Sequence, residues 1–233
     1  MIRAVIFDMF ETLITHYQSP LYFGSQMAAD AGIPEERFLA IWRPTEHDRS
    51  IGRVTLEEVL EHILRENQCF SKKLLQRLVQ KRTETKRECF RHLHPELIPM
   101  LSELRKRGIL VGLISNCYSE EAVVIRESEL FPYFDAVFLS VEQGVEKPDH
   151  EIFRRCMDKL SVKAEECLYV GDGGSFELET ARELGMTAAQ AVWYLQEKTT
   201  QPSGRKPDFS QLERPSDVLR RLDSSQQKHK EAL

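Results

Sequence analysis

The chain has no long apolar run, no excess of basic charge and no cysteine pair at metal-ligand spacing. Each absence removes a class of protein. A membrane helix needs about 20 consecutive apolar residues, and no segment approaches that, so no membrane partner is expected. The formal net charge is −5, with both signs spread along the chain. A non-specific nucleic-acid binder is usually basic, so no nucleic-acid partner is expected either. The five cysteines, Cys69, Cys89, Cys117, Cys156 and Cys167, are odd in number and include no C-x-x-C. That pattern argues against a disulfide framework or a zinc site and for a reducing, cytoplasmic setting. The N-terminus carries no basic run ahead of a long apolar stretch, so no signal peptide is expected.

What is present is enough apolar material for a core, 41% of 233 residues, arranged in short runs. Residues 2–7 (IRAVIF), 109–114 (ILVGLI), 136–141 (AVFLSV), 167–170 (CLYV) and 187–193 (TAAQAVW) suit strands buried on both faces of a parallel sheet. Between them lie segments of helical period at 95–108, 120–130, 150–160 and 176–185. The first has Pro near its start, cations in its last turn and Gly at its end. Strand–helix alternation of this kind implies an α/β fold with a doubly wound parallel sheet.

Between residues 15 and 90 the alternation stops. SQMAADAGI, EERFLAIW, TLEEVLEHILREN and KLLQRLVQKRTETKRECFRHL all read as helices. The expected organisation is therefore a core of residues 1–14 and 91–233 with a helical insertion, 15–90. The polar stretch 199–206 reads as a loop, SDVLRRL at 216–222 as a last short helix, and SSQQKHKEAL as a fraying end.

Open α/β sheets bind ligands beyond the carboxyl ends of their strands, and polar residues recur at those ends. Asp8 follows the first strand; alone it reads first as a turn former or helix cap. Ser115 and Asn116 end the second; they could bind an anion, but alone they read first as a helix start. Lys147 precedes Pro148 after the third strand, where it could neutralise a phosphate or remain on the surface. Asp172 follows the fourth strand in Gly171-Asp172-Gly173-Gly174, with Glu177 near the next helix start. Converging carboxylates would suit magnesium, which prefers oxygen ligands.

Order and spacing make these signals specific together. VIFDMFETL, LISN, KP and YVGDGGSFE resemble, in sequence, the four motifs of the haloacid dehalogenase superfamily, over residues 2 to about 193. The insertion falls where some members carry a cap between the first and second motifs. The resemblance implies a Rossmann-like core and a hydrolase with Asp8 as nucleophile. It makes Thr12, Ser115 and Asn116 substrate-binding, with Thr12 also holding the first loop, and Lys147 charge-stabilising. It implies Mg2+ held by Asp8, the carbonyl of Phe10, Asp172 and Glu177, and a small phosphorylated metabolite as partner.

Two departures bear on the reaction. Family phosphatases usually read D-x-D-x-T, the second Asp serving as acid and base. Here that position is Phe10, as in the 2-haloacid dehalogenases, whose halide leaves without a proton. Glu177 stands where Asp is more usual. Three readings follow: a Mg2+-dependent phosphatase, a metal-free 2-haloacid dehalogenase, and a weakly active protein that binds a phospho-ligand or partner. The dehalogenases hold substrate carboxylate with a cap arginine, and Arg37, Arg43, Arg49 and Arg53 are available. Glu11, His16 and His47 are lesser candidates for the missing proton donor, each more readily a loop, surface or packing residue. Nothing near Cys117 suggests an activated thiolate.

Overall fold

The structure is a computed structural model that describes residues 1–196 and 204–231. Six parallel strands form one sheet in the order β3-β2-β1-β4-β5-β6. They are β1 (Ala4–Phe7), β2 (Leu110–Ser115), β3 (Ala136–Leu139), β4 (Cys167–Gly171), β5 (Thr187–Ala191) and β6 (Ser210–Leu212). The chain runs outward from β1 through β2 to β3, then returns to place β4 on the other flank of β1. The crevice between β1 and β4 is thus the point where the winding reverses, the usual ligand position in such sheets.

The helices are α1 (Gly24–Ala31), α2 (Glu35–Trp42), α3 (Glu46–Ser50), α4 (Leu56–Glu66), α5 (Lys72–Cys89), α6 (Leu97–Lys106), α7 (Ser119–Glu127), α8 (Ser140–Gln143), α9 (His150–Leu160), α10 (Glu177–Glu183) and α11 (Asp217–Glu231). Successive strand side chains point to opposite faces, which divides the core in two. Val5 and Phe7 pack with Leu101 and Leu104 of α6, Ile125 of α7 and Val218 of α11. Ala4 and Ile6 pack with Phe153 and Cys156 of α9 and Leu178 of α10. Burial on both faces explains why these strands read as continuous apolar runs.

The helices α1, α2, α4 and α5 enclose a third apolar cluster of their own, including Met27, Phe38, Trp42, Leu60, Ile63, Leu64 and Leu78. Helix α4 shows why this segment is helical. Thr55 caps it and Glu58 returns a bond to the Thr55 N–H, a capping box. Its apolar residues Leu56, Val59, Leu60, Ile63 and Leu64 fall on one face. Each such buried side chain contributes roughly 1.5–3 kcal/mol relative to exposure.

Some boundaries differ from expectation. The third strand stops at Leu139, because Ser140–Gln143 turns into α8 and closes at Gly144 with φ 68°. The fifth stops at Ala191, and Trp193 instead donates its indole N–H to the Thr12 carbonyl at 2.8 Å. Strand β6 was not expected; three residues without an apolar run carry too little pattern to register. The last helix continues through 224–231 rather than ending at 222. Of the expected loop at 199–206, residues 199–203 lie outside those described.

Candidate active site

Each first residue beyond β1, β2 and β4 enters one cavity of about 590 Å³: Asp8, Asn116 and Asp172, joined by Lys147. The parallel register sets this convergence. β1 is bonded in step to β2 and β4, and the Asp8 N–H donates to the Val170 carbonyl at 2.9 Å. Lys147 reaches back to Asp8, with Nζ 2.6 Å from Oδ1. It also donates to the Tyr169 hydroxyl at 3.4 Å. Asn116 fixes the lysine's backbone from both sides. Its Nδ2 donates to the Lys147 carbonyl at 2.9 Å, and its Oδ1 accepts from the Lys147 N–H at 2.7 Å.

Glu177 is wholly buried under the loop after β4. Its two oxygens accept from the N–H groups of Gly173 and Ser175, both at 2.7 Å. A Cβ at position 171 would lie 2.8 Å from Glu177 Oε1, so glycine there is what lets the glutamate in. Asp172 Oδ1 accepts from the Gly174 N–H at 3.1 Å. Gln190 of β5 holds the Asp172 carbonyl at 2.8 Å.

The result is a cluster short of positive charge. Ligand oxygens of Asp8, Asp172 and Glu177 lie within 4.8 Å of one another. Burial pushes the Asp8 carboxyl up to about 6 against the pull of Lys147, with Glu177 adding to the rise. Burial, then Glu177 and Asp8, hold Asp172 well above the usual carboxylate range. Burial works against the Lys147 ammonium, but Asp8 and Glu177 outweigh it and raise its pKa. Two buried carboxylates and the half-buried Asp172, facing one lysine, form an oxygen-only donor set that fits a hard divalent cation.

Other predicted residues fall elsewhere. Thr12 and Ser115 are fully buried and do not line the cavity. The Thr12 hydroxyl has no hydrogen-bond partner, and Ser115 Oγ donates to the Asn116 carbonyl at 3.4 Å. The tight turn after β1 and the end of β2 hold both side chains within the fold. Glu11 sits at φ 58°. It accepts from the Thr15 hydroxyl at 2.6 Å and the His16 N–H at 3.0 Å, contacts that hold an uncommon backbone conformation in place. His47 pairs with Glu146 on the surface at 2.6 Å. Cys117 is buried, and burial pushes its thiol well up.

His16 does reach the cavity. Its ring stacks on Phe10 with centroids 4.8 Å apart, Nδ1 is 3.2 Å from Glu11, and Nε2 is 2.7 Å from Lys86 Nζ. An ammonium only donates, so Nε2 accepts and the Nδ1–H donates to Glu11. Burial, then Lys86, hold the imidazole below its ordinary pKa.

The sequence reading passed over a second buried cluster. Arg82 and Lys86 on α5 meet Glu120 and Glu121 at the start of α7, with Arg82–Glu120 at 2.9 Å and Lys86–Glu121 at 2.7 Å. A signal existed. Leu78, Arg82, Lys86 and Cys89 recur at helical spacing, and all four are buried.

The chain belongs to the haloacid dehalogenase-like hydrolase family, whose model matches residues 2–185. A glyceraldehyde 3-phosphate phosphatase from Methanocaldococcus jannaschii is 34% identical over 105 residues, 42% of this chain and 44% of that one. The chain spans about half the length of the curated relatives it matches. Among solved structures, a 2-haloacid dehalogenase from Pseudomonas syringae aligns with TM-score 0.68 at 23% identity, covering 96% of this chain and 99% of that one. A phosphatase of the same superfamily from Thermococcus onnurineus aligns with TM-score 0.62 at 19% identity, covering 95% and 98%. These structural likenesses bear on the fold. No helix among the described residues is long and apolar enough to cross a membrane.

Proposed function

We propose that the chain is a Mg2+-dependent phosphatase of a small phosphorylated metabolite, acting through an aspartyl-phosphate on Asp8. The observation that carries this reading is the acidic cluster of Asp8, Asp172 and Glu177 around a single lysine. Displacing halide from a carboxylate-bearing substrate has no use for two further carboxylates, which would repel it. A divalent cation held by Asp8, Asp172 and the Phe10 carbonyl, with Glu177 beside them, would supply the missing positive charge and offset that of the phosphoryl group.

Asp8 Oδ attacks phosphorus, the bond to the leaving alcohol breaks, and water later hydrolyses the acyl phosphate. Lys147 holds Asp8 ionised and in place from 2.6 Å, and Asn116 orients Lys147 while lining the phosphate's cavity. Thr12 and Ser115 support these loops from below. Phe10 cannot move a proton, so esters of poor leaving groups turn over slowly. Residues 15–90 act as a cap whose closure excludes water, over the core of residues 1–14 and 91–233. The five free cysteines suit a cytoplasmic setting.

The test is a panel assay of orthophosphate release from phosphate monoesters and chloride release from 2-haloacids, with and without EDTA. Orthophosphate release that EDTA abolishes is expected, and Asp8→Asn should lower it at least about 10³-fold. EDTA-resistant chloride release would replace this reading with dehalogenation. Silence in both assays would favour a binding protein.

A further inference from the structure

One wall of the cavity is aromatic and begins two residues from the nucleophile. Phe10, His16, Tyr17 and Phe23 all line the cavity, and each is half-buried. Three of these rings hold one another in place. Phe10 and His16 stack with planes 14° and centroids 4.8 Å apart, and Phe23 meets the His16 ring edge-on at 5.7 Å. A wall fixed by its own packing loses little freedom when a ligand is added, and such rings favour contact with a further ring. The cavity, about 590 Å³, has the size usual for pockets that enclose a ligand of that kind.

Beside this wall, the side chains that could replace the acid absent at Phe10 are engaged with one another. Glu11 accepts from the Thr15 hydroxyl and the His16 N–H. His16 gives its Nδ1–H to Glu11 and accepts from Lys86 at Nε2, so neither ring nitrogen offers a proton to the cavity. Lys86 is tied to Glu121 at 2.7 Å. A group that leaves here therefore has to carry its own negative charge. A phenol does so readily, since it ionises near about pH 10. An alkyl alcohol ionises about as weakly as water, near roughly pH 16, and leaves slowly without a proton.

We infer that the substrate is the phosphate monoester of an aromatic hydroxyl, with its ring against Phe10, His16, Tyr17 and Phe23. This rests on the phosphatase reading above for the role of Asp8. Asp8 Oδ bonds to phosphorus as the bond from phosphorus to the ring oxygen breaks. That oxygen takes the bonding pair, leaves as a phenolate and gains its proton from water outside the site. Water then hydrolyses the aspartyl phosphate, returning the Asp8 carboxylate and orthophosphate. The first step thus proceeds without a proton donor at position 10, and the second is common to every ester.

The test compares phenyl phosphate, benzyl phosphate and glycerol 3-phosphate in wild type with Mg2+ present. Benzyl phosphate keeps the ring but leaves from an alkyl oxygen. Phenyl phosphate should exceed it in kcat/KM by at least about 10²-fold, the usual worth of a proton donor, and benzyl phosphate should in turn exceed glycerol 3-phosphate. Binding is read apart from turnover by calorimetric titration into Asp8→Asn, with cyclohexyl phosphate as the ester of similar size without a π face. Phenyl phosphate should bind about 3- to 10-fold more tightly, and Tyr17→Leu in the same background should shrink that advantage. Equal kcat/KM for phenyl and benzyl phosphate would reveal a proton donor at the site and overturn the inference. Equal binding of phenyl and cyclohexyl phosphate would overturn it as well. No orthophosphate from any ester, with phenyl phosphate still favoured in binding, would sink the phosphatase reading and leave the ring selectivity standing. Equal turnover of all three esters would sink this inference alone.

Discussion

The strand-edge cluster sets three carboxylates, Asp8, Asp172 and Glu177, against Lys147. The cluster between α5 and α7 sets Arg82 and Lys86 against Glu120 and Glu121. Both lie largely out of solvent, yet Asp8 and Glu121 respond in opposite directions. Asp8 is pushed up to about 6 by burial, with Lys147 only partly offsetting it. Glu121 feels burial too, but Lys86 and Arg82 outweigh it and hold the carboxyl down at about 2. Burial alone therefore does not decide the state of a carboxylate; the local count of opposite charges does. A balanced cluster serves as a fastening between helices. An unbalanced one is stable only if something else supplies charge, and that marks it as the place where a ligand acts.

The sharpest way to break this comparison is to unbalance the balanced cluster. Glu121→Gln leaves Lys86 and Arg82 buried with one acid fewer, and should destabilise the protein by about 3–5 kcal/mol in denaturant unfolding. The deficit should depend on pH. A carboxyl whose folded pKa is about 2, against an ordinary 4.5, contributes its stability above about 4.5. That contribution is lost as pH falls toward 2. The gap between wild type and Glu121→Gln should therefore be full at pH 6 and narrow steadily below pH 4.5. A gap that does not narrow would mean the pair contributes by packing, not charge.

A second change deepens the imbalance at the strand edge. Phe10→Asp adds a carboxylate beside the acidic loop. It should raise turnover of alkyl phosphates about 10²-fold by restoring a proton donor, while lowering the melting temperature when magnesium is withheld. Steady-state kinetics on glycerol 3-phosphate reads the first effect and thermal unfolding in EDTA the second. Unchanged kinetics would point to another donor near the cavity, with His16 the first to replace.

The smallest expected effect comes from relieving the imbalance. Asp172→Asn removes one of the crowded charges, so in EDTA its melting temperature should rise by a few degrees. About 2–4 °C per kcal/mol is usual for a chain of this size. The same variant should lose the stabilisation that Mg2+ gives wild type, since one ligand charge is gone. A fall in EDTA would show that Asp172 is already compensated within the folded chain.

Much of this was legible before folding. Period and polarity marked five of the six strands, because strands buried on both faces must be apolar at every position. They also marked α1, α2, α4 and α5, because each buries one stripe, but not the short α3. Asp8, Asn116, Lys147 and Asp172 could be singled out because the carboxyl ends of parallel strands are where an open sheet leaves room. Sequence did not determine which loop side chains face the cavity. Thr12 and Ser115 turned beneath it, and Glu11 turned into its own loop, because direction past a strand end depends on turn geometry and neighbours. Nor could spacing show that Arg82 and Lys86 would be paired. That pairing joins α5 to α7 across 38 residues for Arg82 and Glu120. Chain pattern reports on a helix's own faces; whether a buried charge finds its partner is decided only when two distant segments pack.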